Sequence, residues 1–203
     1  AVFRTSRNIW DGIAQLLRMA VAGRRFLSGA VFSAHWVVDG IDDAAGRSAV
    51  ARLRAVIQPY GAEVPATVPT VVNAMPFMPL TNVRGPLGER WVPVHGILPF
   101  SRVSAFRDDL TAYYGQHEAR MEQLNIRYGA MFMTVSTHAF LYEPVFYWHD
   151  TTNITQERLM PEGYLATLPR FEENLPGRQL VDEMKHGIAD IFHKHGAAHL
   201  QIG

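Results

Sequence analysis

The chain has 203 residues, 48% of them hydrophobic and 19% charged, which is the balance of a soluble globular protein with enough apolar material for a real core. Nineteen basic residues offset nineteen acidic ones, so the electrostatic footprint that nucleic acid or an anionic membrane surface demands is missing and neither partner is expected. Cysteine is absent, which excludes disulfides, thiolate metal sites, iron–sulfur clusters and a cysteine nucleophile, and leaves the compartment undetermined.

In chain order, Asp11–Gly23 spaces Ile13, Leu16, Leu17 and Ala20 as a helix that stops at Gly23. Residues 28–40, rich in Val, Phe and Trp between glycines, predict a strand. Residues 42–61 predict a helix ended by Pro59 and Gly61. Pro65, Pro69, Pro76, Pro79 and Pro86 make residues 64–89 a long surface excursion. The second half repeats the order. "RWVPVHGILPFS" predicts a strand, and residues 101–125 a long helix capped by Ser101 or Ser104. "IRYGAMFMTVSTHAF" predicts a strand with "LYEPVFYWHD" as its hairpin partner. After an irregular polar stretch comes a helix with Leu180, Met184, Ile188 and Phe192 on one face, then a last strand, "AAHLQIG". The element order predicts one α+β domain over 1–203, a ferredoxin-like antiparallel sheet with its helices packed on one face. No run of about 18 apolar residues and no leader are visible. The opening Ala and the abrupt "HLQIG" suggest a piece of something longer.

The common chemical motifs are missing: no GxGxxG, no Walker A loop and no GxSxG elbow. His117 and Glu118 fail the zincin pattern, because Met121 stands where the second histidine belongs, and read as solvated helix residues. His193, His195 and His199 raise the question of a metal, set against helix capping by His193 and His195 at a carbonyl-rich end. Asn153 opens an "NIT" sequon, meaningful only in a secreted chain.

Four stretches carry a resemblance: "IAQLLRMAVAGRRFLSGAVFSAH", "RWVPVHGILPFSRVSAFRDDL", "MFMTVSTHAFLYEPVFYWHD" and "IFHKHGAAHLQIG". Together with the element order they resemble the C-terminal cap half of the FAD-linked oxidases of the vanillyl-alcohol oxidase and para-cresol dehydrogenase family. The resemblance implies a cap that walls a small-molecule substrate against FAD, in an enzyme that removes hydride from an alcohol-type carbon or a para-alkylphenol. It implies an N-terminal FAD-binding domain, which this chain does not resemble, so that these residues do not turn over alone. Oxygen or a cytochrome is the implied electron acceptor, and a homo-oligomer is expected. Aligned on Thr134 and Val135, the family's flavin-linking position falls on Tyr142. Without the resemblance, Tyr142 is an amphipathic strand aromatic whose hydroxyl finds a partner at the sheet's rim.

The neighbours of Tyr142 follow from a two-residue strand period. His138, Phe140 and Tyr142 share one face, and Leu141, Glu143 and Val145 share the other. His138 then approaches whatever Tyr142 approaches, as a proton acceptor or an electrostatic partner of reduced flavin. His95 lies in the segment that borders the family's active site, beside Gly96, which permits close backbone approach. His199 and Gln201 share one face of the last strand, where the family holds its substrate. The family's phenolate-binding Tyr-Arg pair is absent from "AHLQIG", and so is the glycine-rich metal-histidine segment of the hydroxy-acid oxidisers. The substrate is therefore open. The alternative is a non-enzymatic ferredoxin-like domain that binds a small molecule or dimerises through its sheet.

Overall fold

The computed structural model describes residues 30–64, 69, 84, 85 and 87–199. The chain forms two compact units, Ala1–Met78 and Pro79–Gly203. The expected helix at 11–23 and most of the proline-rich excursion lie outside the described residues.

In the first unit, residues 30–40 form no strand, a correction to the strand predicted for 28–40. Val31, Phe32, Trp36 and Val37 have strand propensity but stand exposed, and a strand needs a neighbour for its backbone groups that propensity cannot supply. Helix α1, Asp43–Ile57, forms as predicted. The Asp42 carboxylate accepts from the Ala45 N–H at 2.8 Å, satisfying one of the first turn's unpaired donors. A 3-10 turn over Gln58–Tyr60, with Pro59 inside it, ends the helix.

The second unit holds the sheet. Strands β1 (Arg90–Pro93) and β2 (Gly96–Pro99) are two halves of one run, interrupted at Val94 and His95. Both lie antiparallel on the same edge of β4, and the Val94 N–H still donates to the Pro144 carbonyl at 2.8 Å between them. Helix α2 (Val103–Gln123) follows, then β3 (Arg127–Val135) and β4 (Ala139–Trp148), which form a hairpin. Short helices α3 (Ile154–Leu159) and α4 (Glu162–Leu165) lead to α5 (Leu175–Lys194). Strand β5, described over Ala198–His199, pairs with β2. The spatial order is β3, β4, the β1/β2 run, β5, all antiparallel. The unit is α+β, as the sequence predicts.

Side-chain parity sorts this sheet into two faces. Val94, Leu98, Tyr142, Phe146 and Trp148 join Phe106, Leu110, Tyr114 and Met121 of α2 and Leu180, Met184, Ile188 and Phe192 of α5 in one buried core. The α5 face is the one its four-residue spacing predicts, each of the four being no more than 1% exposed. Asn174 caps α5 by accepting from the Gly177 N–H at 2.8 Å, and Gly196, at φ 67°, turns the chain away beyond its end. Gly96 is a required glycine, since a Cβ there would meet the Phe192 ring at 2.3 Å. Neither serine expected to cap α2 does so. The chain turns out of β2 through a 3-10 turn over Phe100–Arg102, so Ser101 lies inside that turn and Ser104 is already helical.

The hairpin reverses earlier than predicted. Ser136, at φ 55°, together with Thr137 and His138, makes the turn, and Ala139 and Phe140 already belong to β4. His138 is thus outside the strand, and the face it was expected to share with Tyr142 does not exist.

Candidate functional site

The face of the sheet away from the helices carries odd-numbered positions of β4: Leu141, Glu143, Val145 and Tyr147. Across the register, His95 stands opposite Glu143 in the β1/β2 run, and Met131 stands opposite it in β3. Directly opposed residues in antiparallel strands have neighbouring side chains. Nε2 of His95 and Oε2 of Glu143 are 2.8 Å apart, with side-chain exposures of 26% and 8%. The other carboxylate oxygen of Glu143, Oε1, is buried and has no hydrogen-bond partner among the described residues. A buried carboxylate oxygen without a donor is costly, and such orphans concentrate where a ligand or a reaction completes them. The surroundings on this face are apolar: Ile97, Leu141 and Met133 form the next row on one side, and Pro93, Val145 and Gly129 the next on the other.

This arrangement can hold and move a proton. A histidine fixed on one oxygen steadies the carboxylate's orientation, while the second oxygen keeps its lone pairs for an incoming donor. Glu143 is therefore the residue that the sequence expectation missed, although it stood in the right stretch and on the right face. Alternation placed it with Leu141 and Val145. Only the register reveals its partner, forty-eight positions upstream.

The other expected site residues do not gather here. Tyr142 points the opposite way, 6% exposed, with its ring edge-on to Phe106 at 5.0 Å and to Phe132 at 4.7 Å. Burial pushes its phenol up from the ordinary value. As a flavin anchor it does not fit, because its place is inside the core between sheet and helices. His138 is exposed in the hairpin turn, where its ring lies 3.0 Å from the Thr137 hydroxyl. His199 pairs with Gly96 in the register of β5 and β2, and Gln201 lies outside the described residues. His195 is committed elsewhere: it caps α5 and meets the Asp109 carboxylate of α2 at 2.7 Å, as does Lys194. Among the described residues no group of three or more His, Asp or Glu side chains is placed to hold a metal ion, and the side chain of His199 lies outside them. His117 is also not the solvated residue expected. It is half-buried against Tyr113 at 4.7 Å, while Glu118 is exposed.

A second polar constellation, invisible in the sequence, ties the unit together at the other end of β4. Asp150 is fully buried and accepts from Nε and an Nη of Arg178 at 2.6 and 2.8 Å, from the Asn174 N–H at 3.1 Å, from Trp148 Nε1 at 3.2 Å and from the Thr151 N–H at 2.7 Å. Arg90 stands 3.4 Å away. Burial alone would raise the carboxyl, but these donors outweigh it and hold Asp150 well below the usual carboxylate range. Nearby, buried Glu89 pairs with Arg127, and Arg84 donates to Thr152 Oγ1 at 2.7 Å and to the Gly88 carbonyl. The network joins the start of β1, the end of β4 and the start of α5, but it sets four arginines against Asp150 and Glu89, and buried Arg84 meets only a hydroxyl and a carbonyl, its Nε without a partner among the described residues.

No family model, curated protein or solved structure matches this chain.

Proposed function

We propose that the second unit is the substrate-covering domain of an FAD-dependent oxidoreductase acting on an alcohol-type carbon, with Glu143 as its proton acceptor and His95 as the residue that positions it. The observation that carries this reading is the His95–Glu143 pair, locked by strand register on an apolar sheet face, with Oε1 buried and without a partner among the described residues. A substrate hydroxyl that meets Oε1 donates its hydrogen bond to a carboxylate with no competing donor. The apolar side chains around it exclude water and strengthen that interaction. His95 remains on Oε2 throughout, so the carboxylate does not rotate as the proton transfers. No residue assigned here holds the flavin.

The test uses the full-length gene product, its bound flavin and a panel of primary and benzylic alcohols. Glu143→Gln is expected to keep the flavin spectrum and KM while kcat falls by a factor of about 10² to 10⁴, the usual contribution of a placed acid–base group. His95→Gln is expected to lower kcat less, again with KM nearly unchanged. A Glu143→Gln enzyme with wild-type kcat refutes the assignment.

One observation favours the non-enzymatic alternative. Among the described residues β3 pairs only with β4, and it exposes Tyr128, Met131, Phe132 and Met133 to 53%, 53%, 39% and 60%. A nine-residue edge strand, apolar on both faces and charged only at Arg127, lacks the devices that ordinarily block edge pairing. Dimerisation through that edge is the second reading.

A further inference from the structure

Resting on the flavoenzyme reading, we infer that Tyr142 does not carry the flavin and that the working face of this domain is the opposite one, bearing His95 and Glu143. Tyr142 and Glu143 are consecutive residues of β4, so their side chains leave the sheet on opposite sides. The Glu143 side is the face with the orphaned carboxylate oxygen. The Tyr142 side is occupied by α2 and α5. Phe106 stands edge-on to the Tyr142 ring and is itself stacked on Phe192 at 4.3 Å, and Phe192 closes over Gly96. An isoalloxazine joined to the phenol oxygen would have to lie in that layer, where Phe106 and Phe192 are already buried against each other and against Tyr142 and Gly96. It would also be separated by the thickness of the sheet from the His95–Glu143 pair. One ring cannot be bound at Tyr142 and worked on by Glu143, and the geometry favours Glu143. Tyr142 is a core aromatic whose hydroxyl the fold tolerates.

The experiment is acid precipitation of the full-length gene product, followed by a denaturing gel read for flavin fluorescence, on the wild type and on Tyr142→Phe. Two results support the inference: flavin released to the supernatant from the wild type, or fluorescence in the band that persists in Tyr142→Phe. Fluorescence in the wild-type band that disappears in Tyr142→Phe overturns it. A colourless protein throughout defeats the flavoenzyme reading instead, and the place of Tyr142 is then decided by thermal unfolding. As a core ring, Tyr142→Phe should melt within about 2 °C of wild type, and Tyr142→Ala should lose about 10 °C or more or fail to fold. A Tyr142→Phe variant that falls as far as Tyr142→Ala shows that the hydroxyl is engaged and overturns the core assignment.

Discussion

Replacing Gly96 with Ala tests the packing that separates the two faces. An ideal Cβ at this position would lie 2.3, 2.4 and 2.8 Å from Cδ1, Cε1 and Cγ of Phe192, where carbon atoms ordinarily rest about 3.5–4.0 Å apart. The Phe192 ring must therefore retreat by more than about 1 Å. It has nowhere to go: it is 1% exposed and stacked on Phe106 at 4.3 Å, and Phe106 is fully buried against Tyr142. The strain passes to the backbone of β2 or to the last turns of α5. Overpacking of this kind costs about 1–3 kcal/mol, and a wedged aromatic belongs at the upper end, about 3 kcal/mol out of a total stability of about 5–15. Urea unfolding followed by tryptophan fluorescence should show the midpoint lowered by about 1–2 M. Combining Gly96→Ala with Phe192→Leu should restore part of the loss, with a favourable coupling of about 1 kcal/mol or more, because the leucine vacates the space that the new methyl takes. A Gly96→Ala loss below about 0.5 kcal/mol, with the two substitutions additive, would refute the claim that Gly96 is there to seat Phe192.

Asp150→Asn should cost about 3 kcal/mol, the lower end for a broken buried pair, since the acid is fully buried while the guanidinium groups of Arg90 and Arg178 keep some contact with solvent, and thermal unfolding at neutral pH measures this. Because the folded-state carboxyl is held below its unfolded value of about 3.9, its contribution is complete above that value and is lost as pH falls through the lower folded one. Wild-type stability should therefore decline below about pH 4, and the Asp150→Asn protein should decline less steeply over the same range; equal slopes argue against the assignment. If β3 pairs edge to edge with a second copy, Met133→Lys should turn a dimer into a monomer in light scattering behind size exclusion; a wild type that is already monomeric at high concentration removes the dimerisation reading.

What the sequence revealed is what local chemistry controls. The hairpin of β3 and β4 was legible because β-branched and aromatic residues run through it, and α5 because Leu180, Met184, Ile188 and Phe192 recur every four residues. Helix α1 was legible from the breakers Pro59 and Gly61 that end it. The strand expected at 28–40 does not form over 30–40, because the propensity of Val31, Trp36 and Val37 cannot by itself supply a neighbouring strand. The early turn escaped notice because Ser136 adopts a positive φ that glycine or asparagine would have advertised. Asp150 gathers Arg90, Asn174 and Arg178 from sixty residues upstream and up to twenty-eight downstream, and no local pattern encodes such a meeting. The candidate site lies between these cases. Alternation put Glu143 on the face opposite Tyr142, and His95 was singled out by itself, but their union depends on strand register alone.

That dependence on register explains why the site and the core are one problem. Along β4, even positions from Phe140 to Trp148 face the helices, and odd positions from Leu141 to Tyr147 face away. A one-residue slip of β4 that put Glu143 in the place of Tyr142, against Phe106, would bring Pro144 opposite His95. Burying an unpaired carboxylate in that aromatic layer would cost several kcal/mol, more than any single strand pair contributes. The same seating of Phe192 over Gly96 that fixes β2 against α5 also fixes the position of His95, one residue earlier. The His95–Glu143 pair is therefore held by core packing on the far side of the sheet, and Gly96→Ala should disturb the His95–Glu143 distance without touching either residue.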